Sequence, residues 1–318
     1  MVGHERGKAM AVVGTIGPLG GIAGPGLGGL LTEAWGWQSV FFVNVPFCLV
    51  ALLLMWRLLP NDTTKRHQPY DFVGSIALSA GALLLLLGLT SSYDLSLLFL
   101  IAGVCLLLSF PLIEKRVRHP LVPPAMFGKG DFTLPLAGVI ASSIAGSGLG
   151  FIAAFFLQID MGLSPAQAGF AVLAVPVSMM AASQIGGIIT DRMGSRLAAM
   201  IGAAMGLLGL ALLLPLQPDW SIADVMLRFV LIGFGQGLFA SPANVAIMAA
   251  TLHDYLGVSS AITNLLRQLG FALGPAIAAF MWRPDAIDSL ESMRSVFSVL
   301  LVVQMITFTT TLRYRNPV

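Results

Sequence analysis

Apolar residues run through this chain in stretches of about twenty, separated by short polar breaks, and ten such stretches stand out. Eight are free of Asp, Glu, Lys and Arg: roughly 9–32, 34–56, 72–93, 95–113, 132–159, 161–190, 197–218 and 295–312. Two more, near 225–250 and 257–282, each carry a single arginine, Arg228 and Arg267. Crossing ~30 Å of hydrocarbon takes about 20 helical residues, because lipid offers the backbone no hydrogen-bond partner and each segment must satisfy its own. The pattern predicts an all-α membrane protein with about ten transmembrane helices. Met1 to Lys8 is polar, and the apolar run after it is too long for the core of a cleaved signal, so that region is expected to remain.

Composition agrees with the pattern. Hydrophobic residues make up 57% of 318 positions and charged ones 10%, against roughly a quarter charged in a soluble domain. With both termini on one side of the bilayer, thirteen of the seventeen Lys and Arg fall on that side. The positive-inside rule makes it the cytoplasmic side, which predicts a multi-pass protein of the cell membrane with both ends in the cytoplasm. Cys48 and Cys105 lie mid-span, where each serves as a small apolar side chain.

Gly20-x-x-x-Gly24-Pro25 returns as Gly270-x-x-x-Gly274-Pro275, each time in an apolar stretch followed by one more. Aligning the two copies divides the chain into three. Residues 1–58 are two helices of an incomplete N-terminal bundle, 59–131 a two-helix insert with cytoplasmic connectors, and 132–318 a complete six-helix C-terminal bundle. On this alignment four helices that should precede residue 9 are missing. The connector from Glu114 to Asp131 mixes bases with apolar residues, as a solvated linker or as a segment lying at the lipid interface.

Several positions are candidates for function. Gly14, Gly17, Gly21, Gly24 and Gly28 share one helix face, which suits close packing and equally a seam between moving parts. Gly187-x-x-x-Asp191-Arg192-x-Gly194-x-Arg196 fills a short turn, where Gly194 permits the reversal and the arginines can meet carboxylates or helix C-terminal carbonyls. Arg228 follows Asp224 by one helical turn, which allows an ion pair or a place in a water-filled cavity. Arg267 lies deeper, with Ser260, Thr263, Asn264 and Gly274 at helical spacing, as a cavity residue or as a hydrogen-bonding partner for a neighbouring helix. Gln158, Gln184, Gln236, Asn244 and Gln268 are further polar groups within spans.

No bond-breaking chemistry is evident. The four histidines are scattered, there is no metal-ligand cluster, and no Gly-Lys-Ser/Thr follows a glycine-rich run. An enzyme is not expected, nor a catalytic residue, metal, cofactor or nucleic-acid partner.

Gly20-x-x-x-Gly24-Pro25-x-x-Gly28-Gly29, with Trp37 and Phe42-x-Asn44-x-Pro46 after it, resembles the fifth-helix antiporter motif and sixth-helix entry of the major facilitator superfamily. The turn from Gly187 to Arg196 resembles its cytoplasmic loop motif, and Arg228 with Gly233, Gly235 and Gly237 its arginine motif. Two helices between the bundles make the fourteen-helix drug:proton antiporters the nearest match, where a stretch like Ser260-x-x-x-Asn264-x-x-Arg267-Gln268-x-Gly270 is also familiar. The resemblance implies a major facilitator-type bundle working by alternating access. It further implies proton-coupled export of small drug-like compounds, apolar or cationic, with the lipid bilayer, the substrate and protons as partners. Arg228, Gln236, Asn264 and Arg267 are then expected at the substrate cavity. The alternative is a non-transporting membrane fragment that packs with other membrane proteins.

Overall fold

A computed structural model describes residues 24, 26–58, 71–90, 95–117, 130–217, 219–251, 255–282 and 289–314. Among these every element is helical. We number them α1 (26–35), α2 (Asn44–Leu58, led by a short turn Ser39–Phe42), α3 (Phe72–Thr90) and α4 (Ser96–Glu114). There follow α5 (Gly130–Phe155, extended by a π-turn Phe156–Asp160), α6 (Pro165–Val172 continuing as Ala174–Met193) and α7 (Ser195–Ala211). The last three are α8 (Ile222–Ala250), α9 (Leu256–Met281) and α10 (Ser289–Leu312).

Seven described segments are both long and apolar enough to cross a membrane. Two expected spans fall short for different reasons. Helix α7 stops at 17 residues, followed by a turn around Pro215, which has no N–H to continue it. Helix α9 has the length, but Asn264, Arg267 and Gln268 dilute its apolar character. The 9–32 span lies mostly outside the described residues.

Helices α5 to α10 form one bundle in which neighbours in sequence run antiparallel. Helix α8 sits at its middle, against α6, α7 and α5, while α5 also packs on α9 and α10. One end of the bundle holds the α6–α7 turn and the other Trp220 and Trp282; we call them the turn end and the tryptophan end. A core of Leu149, Ile152, Phe156, Phe229, Ile232, Phe297 and Leu300 fills the tryptophan half. Phe132, Leu136, Ala199, Ala203, Phe239, Ile247 and Tyr314 fill the turn half. Outward-facing leucines, valines and phenylalanines remain exposed, as lipid-facing surfaces do.

In lipid there is no hydrophobic force between helices, so association depends on contact. Glycine supplies it here. On α8, Gly233 and Gly237 lie against the Val175 and Met179 carbonyls of α6, and Gly235 meets Gly202 and Gly206 of α7. On α9, Gly270 and Gly274 lie against the backbone of α5 at Ile140 and Ile144. The second copy of the repeated glycine motif therefore joins α9 to α5.

The first copy behaves differently. Of its residues, Gly20 and Pro25 lie outside the described residues, and the open faces of Gly24 and Gly28 meet nothing within 4 Å. Close contact is made instead by Gly26, against Leu173, and Gly29, against Pro165 and Ala166. Glu33, on the same face of α1, completes the contact. Its Oε2 accepts from Ser164 Oγ and from the Ala166 N–H, both at 3.0 Å, at the N-terminus of α6 where the helix dipole favours a carboxylate.

The hairpin α3–α4 joins the bundle through α9. Asp71 and Glu114, placed by the sequence in polar connectors, are 4% and 1% exposed. The two carboxyls meet above Gly74, whose N–H donates to Asp71 Oδ1 at 2.8 Å.

Replacing Gly237 by leucine should force α6 and α8 apart and destabilise the bundle by about 1–3 kcal/mol or more. A thermal unfolding series in detergent checks this, with Gly24→Leu as the variant expected to change little.

Candidate functional site

Four helices leave a cavity of ≈ 220 Å³ between them at mid-bundle, α6 contributing Met179. Helix α5 contributes Ser142, Ser143, Gly146 and Ser147, α8 contributes Gln236 and Phe239, and α9 contributes Arg267 and Phe271. Packing on α8 explains the placement of Gln236. With Gly233 and Gly237 committed to α6 and Gly235 to α7, the face that carries Gln236 is left towards α5. There its amide rests against Gly146, where a Cβ would come within 2.6 Å of Nε2.

Arg267 is half-buried, and its Nη2 donates to Asn244 Oδ1 of α8 at 3.1 Å. That bond occupies only part of a guanidinium with five donors. The serine hydroxyls mostly turn inward: Ser143 donates to the Val139 carbonyl at 2.8 Å and Ser147 to that of Ser143 at 2.8 Å. No Asp or Glu lines the cavity among the described residues. The site thus presents cationic and amide donors within an aromatic and aliphatic frame.

Gln236 and Arg267 are the two expected cavity residues that the structure brings together. Asn264 is exposed on α9 and is not part of the lining. Arg228 lies in a separate groove at the tryptophan end with Met205, Leu227 and Phe234. It stacks 3.8 Å from the Trp220 ring, and donates to the Leu212 carbonyl at 2.9 Å and the Asp224 carbonyl at 2.7 Å. The Asp224 carboxylate is engaged elsewhere, accepting from Ser221 Oγ at 2.7 Å in a capping box. Sequence reading missed Asn244 as the partner of Arg267, and a spacing of 23 residues across two helices gave no local signal for it.

In the Gly187 to Arg196 turn, Gly194 takes φ +88° and ψ 157°, a conformation essentially confined to glycine, and so reverses the chain in one residue. Arg196 donates to the Leu312 carbonyl at the end of α10, at 2.6 Å. Asp191 and Arg192 are exposed, and Gly187 faces Ser241 at ordinary contact distance. Beyond α10, burial pushes the Tyr314 phenol up from its ordinary value and keeps it neutral.

The model of the Major Facilitator Superfamily matches residues 1–275. The chain belongs to that superfamily. It is 27% identical over 277 residues to the Riboflavin transporter RibZ of Clostridioides difficile, covering 86% of this chain and 60% of the relative. It is 31% identical over 290 residues to the Puromycin resistance protein pur8 of Streptomyces alboniger, covering 86% and 56%. With the Multidrug resistance protein Stp of Mycobacterium tuberculosis it shares 28% over 281 residues, covering 86% and 52%. This superfamily member spans between half and three fifths of the length of these relatives.

Removing Arg228 should act on stability. Arg228→Ala frees the Leu212 carbonyl and unstacks Trp220, costing about 1–3 kcal/mol for a lost charged hydrogen bond, and thermal unfolding reads the loss. Gly194→Ala is expected to cost a similar ~1–3 kcal/mol through backbone strain.

Proposed function

We propose that this superfamily member takes part in transmembrane export of small drug-like compounds by alternating access, coupled to protons. The observation that carries the proposal is Arg267, a half-buried cation with spare donors, facing a small, partly polar cavity in the middle of a helical bundle. An arginine in lipid costs roughly 2.5–3.5 kcal/mol on insertion scales, and residues placed there at such cost are functional as a rule. The names of the relatives, which speak of riboflavin, puromycin and multidrug resistance, support the same reading.

The lining also narrows the substrate class. Its cation, amide and aromatic groups suit an apolar compound with hydrogen-bond acceptors or an anionic group. A cationic compound would be repelled by Arg267 and would depend on the Phe239 and Phe271 rings and the Gln236 carbonyl oxygen. The moving joint in this account is the contact between α1 and α6, where Gly26, Gly29 and Glu33 meet the α6 N-terminus through few, half-buried contacts and two exposed hydrogen bonds. Opening it costs two hydrogen bonds at a solvated helix end, far less than parting the glycine-packed helices of the bundle.

A second reading, a non-transporting membrane component, is favoured by one observation. Helix α2 has no buried residue along its 15 positions, as suits a helix awaiting a partner.

Reconstituted vesicles separate the two. With a pH gradient imposed, the full chain should move a neutral or anionic fluorescent compound, and Arg267→Ala should lower the rate by about tenfold or more while leaving insertion intact, the effect of losing roughly 1.4 kcal/mol or more of transition-state stabilisation. Equal rates for the two proteins would refute the cavity's role, and no gradient-dependent flux from either would favour the second reading.

A further inference from the structure

A second cavity, of ≈ 420 Å³, lies on the other side of α9, between that helix and the α3–α4 hairpin. Leu78 and Leu86 of α3, Leu107 and Pro111 of α4, and Val258 and Leu273 of α9 mark its extent, and no polar side chain lines it. It is long and narrow. Val258 to Leu273 covers fifteen helical steps, about 22 Å at 1.5 Å per residue. One flank is open to the surroundings through exposed Ala261, Leu265 and Ala272.

Such a space does not hold water, which needs two to four polar partners. Left empty, it forfeits the dispersion contacts of its whole lining. The medium beside it is lipid, so the available filling is hydrocarbon. Charge at one end selects the headgroup. Lys115 follows Pro111 by four residues and so continues the cavity's face of α4 past its turn end, with Arg116 beside it, both exposed. The acids of that corner, Asp71 and Glu114, are buried between α3 and α4, which leaves the positive charges facing the medium.

We propose that this cavity is a binding site for one anionic phospholipid, one of its two acyl chains lying along α9 and its phosphate at Lys115 and Arg116. The proposal is independent of transport. The lipid completes the contact between the α3–α4 hairpin and the six-helix bundle, where protein contacts alone leave a gap.

Native mass spectrometry of the purified full chain tests it, with phosphatidylglycerol and phosphatidylcholine offered in equal amounts. One tightly held phospholipid is expected, with phosphatidylglycerol favoured about fivefold or more, as basic residues near a headgroup provide. Ala82→Phe on α3 and Ala272→Phe on α9 fill the cavity from opposite walls and should each remove the lipid, with elution and thermal unfolding reporting that the fold is kept. Should one of them not fold, the other decides. Lys115→Gln with Arg116→Gln should keep one lipid and lose the preference. A filled variant that folds and retains its lipid overturns the proposal, as does a native chain that holds none or favours phosphatidylcholine.

Discussion

Close approach of helix backbones in a medium that gives them no other reason to associate is the constraint on which this structure rests. Helix α8 shows how much follows from it. Three glycines within five residues commit two of its faces, Gly233 and Gly237 to α6 and Gly235 to α7. What remains faces α5, and Gln236 is the residue that falls there. On α9 the same device, Gly270 and Gly274 against α5, leaves Arg267 beside the cavity and turns the leucines of the opposite face towards α3 and α4. Glycine packing thus decides which side chains meet in the cavity, although no glycine has chemistry of its own.

Arginine plays two distinct parts in the bundle. Arg196 and Arg228 each donate to a carbonyl at a helix C-terminal end, on Leu312 and Leu212 respectively, and Arg294 donates to the Leu216 carbonyl beyond the turn that follows α7. The two helix-end carbonyls have no partner within their own helices, and a cation there also suits the helix dipole. Arg228 caps the end of α7 at Leu212, and the turn beyond it covers the last helical carbonyls, with the Leu213 N–H donating to Leu210 and the Leu214 N–H to Ala211. Arg267 is the exception. It bonds a side chain, Asn244, on a neighbouring helix and keeps donors for the cavity.

Much of the fold was legible in the sequence because lipid imposes a simple rule. Helices α3 and α4 and most of the helices of the bundle follow from run length alone, with ends within a few residues of α3, α4, α5 and α8. Glycine spacing reads as a close-packing face only on the first span, whereas the closest packing described is on α8 and α9. On α1 the shared face runs through Gly24 and Gly28, whereas contact is made by Gly26 and by Gly29, the last residue of the resembled motif, because helical periodicity fixes which glycines share a face but not which face meets a neighbour. The site was less legible for the same reason. Gln236 and Arg267 sit on different helices whose rotations are set by partners remote in sequence, and Arg228, alike in type, is drawn to the ends of α7 by Leu212 and to Trp220. Glu33 stood in no motif, and its meaning depends wholly on Ser164 and Ala166, more than 130 positions on.

If the glycine-packed bundle is the rigid part and the α1–α6 contact the moving one, a distance across that contact reports the account directly. Spin labels at Trp35 and Leu163, with Cys48 and Cys105 replaced by serine, measure it in the full chain in bilayers. Two distance populations are predicted, their ratio shifting when a transported compound or a pH gradient is added, while a pair on α6 and α8 keeps one distance throughout. A single distance between positions 35 and 163, unmoved by either addition, would contradict the account.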